Sequence, residues 1–218
     1  MIDGKPILAL ETSERICGVC LYFDDEKLFE FSILLKNSHS EVIFHLVDKV
    51  LKTSGTKINQ VSCVAVSAGP GSFTGLRIGM SVAKGLAFGA SLPIAPVPTF
   101  EAMAYQLTDF LPEGTEFVIA NKVNSEEAYF AGFQIKSNNY IFTHDLTIID
   151  SQKLEKESKN KLIFGNAVNS GGKKGFTAPS AKYIAKWCEK FKNGLLTLDY
   201  DFLEPNYLKD FIIKGMKK

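Results

Sequence analysis

The 218-residue sequence predicts a two-lobed α/β fold, the first lobe running β-β-β-α-β-α and the second a degenerate copy of it. Three observations carry this. Three short apolar runs separated by polar turns open the chain. An amphipathic stripe at helical spacing follows them. A glycine-rich turn then joins a buried run to a second helix.

Pro6 to Glu11 (PILALE), Ile16 to Phe23 (ICGVCLYF) and Leu28 to Leu35 (LFEFSILL) read as strands, with Thr12–Arg15 and Asp24–Lys27 as the turns between them. Connections this short favour antiparallel neighbours. Ser38 and Glu41 form an S-x-x-E capping box. Val42, Leu46 and Val50 then repeat at four, as do Ile43, Val47 and Leu51, so one helix face is apolar. Gly55 marks its end. Val61 to Ser67 is a buried strand, and GPGSFTG (Gly69 to Gly75) leads into a second helix from Gly75 to Gly89. That order matches the ribonuclease-H-like half of the actin and Hsp70 folds.

In the second half, Phe117–Asn121 and Ala128–Gln134 read as paired strands and Leu162–Phe164 as another. Ala181–Phe191 reads as a helix with Pro179 and Ser180 at its start. The lobes are placed at residues 1–108 and 109–218, with Asn166–Lys174 as a loop.

Composition narrows the function. Apolar residues make up 45% and charged residues 22%, enough for a packed core. The net charge of +1 argues against gripping nucleic acid unaided, so any tRNA contact is expected only through a partner. MIDGKPILALETS has no charged stretch ahead of an apolar one, so no secretory signal is expected. No run approaches the roughly 20 apolar residues that span a bilayer, so no membrane is expected. Four cysteines make no disulfide framework, and the expected setting is a reducing cytoplasm.

The second helix, GLRIGMSVAKGLAFG, is the anomaly. An internal glycine costs roughly 1 kcal/mol against alanine, so several need compensation. Gly75, Gly79, Ala83 and Ala87 lie four apart and form one smooth face that lets another backbone come close. Either this face packs within the chain, or with the first helix it meets another subunit.

Other constellations are weaker. GPGSFTG lacks the G-K-[ST] of a P-loop; it reads as a tight turn needing glycine dihedrals, or as an anion site at a helix start. Cys17 and Cys20 make a lone CxxC inside a strand, where residues three apart face opposite sides, so they read as buried reduced thiols. His39 and His45 are six apart, roughly 120° around a helix, and cannot share a metal; with His144 they read as solvated. No GxSxG nucleophile motif is present. Glu11-Thr12-Ser13 closes the first strand where actin-like proteins hold nucleotide phosphate and metal. Lys209, Lys214, Lys217 and Lys218 make a modest basic tail.

Taken in order, ILALETS, HSEVIFHLVDKVL, GPGSFTGLRIGMSVAKGLA, PIAPVPTFEAMA and EPNYLK resemble the TsaB (YeaZ) family over nearly the whole chain. The resemblance implies an actin-like (ASKHA) fold, no cofactor of its own, and a non-catalytic role in making threonylcarbamoyladenosine on tRNA. It implies TsaD and TsaE proteins as partners, and a homodimer or TsaB–TsaD heterodimer through the first two helices. Val42, Leu46, Gly75, Leu76, Arg77, Gly79, Met80 and Ala83 are expected at or beside that interface, and Glu11, Thr12 and Ser13 in a vestigial nucleotide cleft. A Gly79→Leu change is expected to break association and spare the fold. The catalytic TsaD relatives carry V-N-H-L-E-G-H with two metal-binding histidines; here Thr99 and Met103 stand in their places, so neither a catalytic residue nor a metal is expected. Glu11 replaces the family's usual aspartate, Lys122-Val123-Asn124 its D-A-R, and Lys209 the arginine of P-x-Y-L-R. An actin-like ATPase or kinase, and a glycoprotease-like hydrolase, are the competing readings.

Overall fold

In the computed structural model residues 4–34, 39–167 and 176–208 are described. The three opening runs become β1 (Ile7–Glu11), β2 (Ile16–Tyr22) and β3 (Leu28–Leu34), an antiparallel meander. Helix α1 (His39–Ser54) crosses to β4 (Cys63–Gly69), which lies parallel to β1. Ser38, half of the expected capping box, lies outside the described residues. At the other end Gly55 takes φ +68 and Thr56 N–H reaches back to the Leu51 carbonyl, so the last carbonyls of α1 are satisfied by a glycine turn. Helix α2 (Phe73–Ala90) starts at Ser72, whose hydroxyl accepts from Gly75 N–H.

Strand β5 (Ile94–Pro98) completes a sheet of order β3-β2-β1-β4-β5. The reading by sequence missed β5 because two prolines interrupt it; at a sheet edge a missing N–H is tolerated. Strand β1 is buried along its whole length, Leu8 and Leu10 toward α1 and α2, Ile7 and Ala9 toward the opposite face. A strand covered on both sides reads as a continuous apolar run rather than an alternation.

The second sheet repeats the plan. β6 (Glu116–Lys122), β7 (Glu127–Lys136) and β8 (Asn139–Asp150) form a meander, and β9 (Leu162–Phe164) returns parallel to β6, giving the order β8-β7-β6-β9. The helix between β8 and β9 has shrunk to α4 (Leu154–Glu157). This duplicated plan is the ASKHA fold. Strand β8 was missed because it is a half-exposed edge with a mixed pattern, NYIFTHDLTIID.

The halves exchange helices. Helix α3 (Thr99–Leu107), also missed, buries Phe100, Met103 and Leu107 among Phe117, Phe133 and Phe164 of the second sheet. Helix α5 (Ala181–Phe191) buries Ile184, Ala185, Trp187 and Cys188 against Ile7, Cys20 and Ala65 of the first. Tyr140 of β8 donates to Glu101 of α3 (2.6 Å) and accepts from the Trp187 indole of α5 (2.9 Å), so one hydroxyl ties three elements together.

Candidate functional site: an open helix pair beside a packed cleft

Helix α2 has two faces of opposite character. Gly75, Leu76, Gly79, Met80, Ala83 and Ala87 all point inward and are buried by the chain itself. A Cβ on Gly75 would overlap the Thr12 carbonyl, and one on Gly79 the Thr12 hydroxyl. The smooth stripe therefore exists to let α2 lie directly on the end of β1, the intramolecular alternative. This corrects the expectation that Gly79→Leu would spare the fold: its side chain would strike the turn after β1. Leu46 of α1 is likewise buried, Val42 is half-buried, and of the expected interface residues only Arg77 is well exposed. Its guanidinium lies 3.9 Å above the Phe73 ring and its Nε donates to Tyr207 OH.

The outward face is built from residues the sequence pattern did not pick out. Between α1 and α2 runs a groove of about 490 Å³, lined by Phe44, Phe73, Ile78, Ser81 and Val82 among others. Two large apolar side chains stand in solvent on these helices, Phe44 at 55% and Phe88 at 75% exposure. Among the described residues nothing comes within 4 Å of where a Cβ on Gly85 or Gly89 would stand, and both glycines are exposed. The exposed rings and bare backbone leave this side of α1 and α2 as an apolar face uncovered among the described residues. The available signal was Phe44 and Phe88 falling off the inward stripe of an otherwise regular amphipathic helix.

The cleft side is packed shut. Glu11, Thr12 and Ser13 are all fully buried. Glu11 Oε1 accepts from both the amide and the hydroxyl of Ser13, at 2.5 Å each. Burial pushes the Glu11 carboxyl from 4.5 to about 7, against the pull of the Ser13 hydrogen bonds. Glu14 is pushed to about 7 for the same reason, opposed by Asn166, whose amide donates to it across the cleft (3.1 Å). His39 is not simply solvated: its Nε2 meets the Glu14 carbonyl at 2.8 Å and ties the start of α1 to this turn. His45 is exposed, and the His144 ring meets that of Phe130 in a T-shaped contact.

A nucleotide phosphate does not fit here. The Ser72 N–H at the start of α2 already donates to the Ser13 carbonyl (2.6 Å), the Gly75 N–H to the Ser72 hydroxyl, and the Leu76 N–H to the Ser72 carbonyl. A Cβ on Gly71 would lie 2.6 Å from the Ser13 carbonyl, so the loop touches the turn with no room for a phosphate between them. Thr99 and Met103, where the resemblance implied that catalytic relatives carry histidines, do not fit a metal either. Thr99 is buried with its hydroxyl accepting from Gly69 N–H (3.1 Å), and Met103 is buried among aromatic rings. Lys122-Val123-Asn124 opens the β6–β7 turn, where Asn124 Oδ1 accepts from the Glu126 and Glu127 amides. Cys17 and Cys20 are buried thiols on opposite faces of β2. The lysines expected as a basic tail lie outside the described residues.

Two meander sheets, each with a returning parallel strand, define an ASKHA-fold protein. A family model for TsaD, tRNA N6-adenosine threonylcarbamoyltransferase, matches residues 34–119, the stretch holding α1, α2 and α3. The chain is 40% identical over 174 residues to the tRNA threonylcarbamoyladenosine biosynthesis protein TsaB of Haemophilus influenzae, covering 78% of this chain and 73% of that protein. It is 37% identical over 132 residues to the TsaB of Escherichia coli, 61% and 56% of the two chains. A 77-residue stretch is 42% identical to the tRNA N6-adenosine threonylcarbamoyltransferase of Brucella ovis, 34% of this chain and 21% of that one. YeaZ from Pseudomonas aeruginosa has the same fold, with a TM-score of 0.78 over 94% of this chain and all of that one at 19% identity. The chain belongs to the TsaB (YeaZ) family.

Proposed function

We propose that this chain is the non-catalytic partner subunit that binds TsaD, with TsaE, in the transfer of threonylcarbamoyl to the adenosine next to the tRNA anticodon. The single observation that carries the reading is the outward face of α1 and α2: Phe44 exposed over the groove beside Phe73 and Ile78, and Phe88 exposed further along α2 next to bare backbone at Gly85 and Gly89. The segment matched by the TsaD model spans this helix pair, which supports docking between two related pairs about a pseudo-twofold axis. The same surface suits a homodimer, and either assembly covers it. The packed turn at Glu11, Thr12 and Ser13, and the buried Thr99 and Met103, argue for leaving the chemistry to the partner. A net charge of +1 fits contact with tRNA through the complex and not alone. Pull-down of TsaD from the same organism by this chain tests the reading. Retention by the wild type and loss by Phe44→Ala with Phe88→Ala supports it; equal retention by both overturns it.

A further inference from the structure

The cysteines that meet in the fold are not the ones adjacent in the sequence. Cys63 opens β4 and Cys188 sits in the last turn of α5, 125 positions later, yet their Sγ atoms lie 4.0 Å apart. Both are free thiols and fully buried. Both stand at the ends of their elements. Ser62, half-buried, precedes Cys63 with its hydroxyl 4.0 Å from that sulfur, and Cys188 is followed within six residues by the exposed Gly194 turn, φ +81. Because both sulfurs are closed off in the folded chain, with Phe191 packed over the end of α5, oxidation requires a transient opening of that last turn, which a molecule as small as hydrogen peroxide exploits more readily than a bulky disulfide.

We propose that Cys63 and Cys188 are a modification site: a thiol pair that hydrogen peroxide converts to a reversible disulfide, stapling α5 to β4. The Cys63 sulfur attacks one peroxide oxygen, the O–O bond breaks, and water leaves, giving a sulfenic acid. The Cys188 sulfur then attacks the Cys63 sulfur, the S–O bond breaks, and a second water carries away the remaining thiol proton. Two thiols are oxidised and one peroxide is reduced. Rotation about the Cα–Cβ bonds has to bring the sulfurs to bonding distance, about 2 Å. Cys63 is the natural attacker, because the sulfur–sulfur contact with Cys188 holds its thiol below the ordinary range while burial opposes, and the same contact pushes Cys188 up. Cys17 and Cys20 are excluded by geometry, since the sheet lies between them.

The test treats the folded protein with hydrogen peroxide, unfolds it in N-ethylmaleimide, and maps the peptides by mass spectrometry. The expected product is one Cys63–Cys188 linkage, short by two hydrogens and reversed by dithiothreitol, with Cys17 and Cys20 alkylated. Trp187, the only tryptophan, adjoins Cys188, so its emission should fall on oxidation and recover on reduction, and Tm should rise. In Cys188→Ala the linkage and the Tm rise vanish and a Cys63 sulfenic acid becomes trappable by dimedone. Should that variant not fold, the wild-type map decides alone. Cys63 and Cys188 both recovered as alkylated thiols, or over-oxidised separately without linkage, overturns the proposal.

Discussion

Glu11 contributes to the pH response of the first lobe. Its folded pKa, about 7, lies above its ordinary 4.5, so the fold prefers the protonated carboxyl. The contribution is whole below pH 4.5 and is lost as pH climbs to about 7, a change of about 3 kcal/mol for a fully buried group. Glu14 titrates in the same direction. Glu11→Gln keeps the acceptor that faces Ser13 and removes the ionisation, so denaturant unfolding between pH 5 and 8, roughly that span, should show a flatter stability curve than the wild type. An unchanged slope would mean Glu11 is not what titrates. Gly79→Leu is expected to lower stability by about 3 kcal/mol, because Leu must displace Thr12 at the end of β1. Thermal unfolding of the isolated chain shows it. The presence of the glycine stripe was legible in the sequence, but its direction was not. A four-residue spacing fixes which residues share a face and says nothing about what that face meets.

At the scale of elements, α2 presents its smooth face to β1 and its rough face to solvent. Phe44→Ala and Phe88→Ala together should lower Tm by no more than about 4 °C, since both rings are largely exposed and Phe88 gives up only its edge contact with Tyr200. They should weaken association with TsaD about tenfold or more, as removal of central aromatic anchors does. Titration calorimetry with purified TsaD measures it; a large Tm drop would instead make both rings part of the fold. The meander, α1, β4, α2 and α5 were legible because each is an apolar run or an apolar stripe at helical spacing between polar or glycine turns. Strand β5 was hidden by its prolines, α3 by its nine-residue length, and β8 by an edge that buries only part of itself.

For the whole molecule, the exchange of α3 and α5 makes each half depend on the other. Residues 1–108 alone would leave Ile7, Cys20 and Ala65 without the cover of α5. That fragment is expected to lose its cooperative unfolding transition, visible by near-UV circular dichroism, and a sharp transition would argue against it. No sequence pattern announced the exchange, because an apolar helix face looks the same whichever sheet receives it. The Glu101–Tyr140–Trp187 link and the Glu14–Asn166 bond tie the lobes at separate points.

The most direct test of the central claim is the stoichiometry of complexes formed with TsaD by the wild type and by a chain carrying Phe88→Asp, read by size-exclusion chromatography with light scattering. The wild type is expected to form a defined complex, and the variant to elute as folded, separate chains. An unaltered complex with Phe88→Asp would place the interface elsewhere and contradict the account.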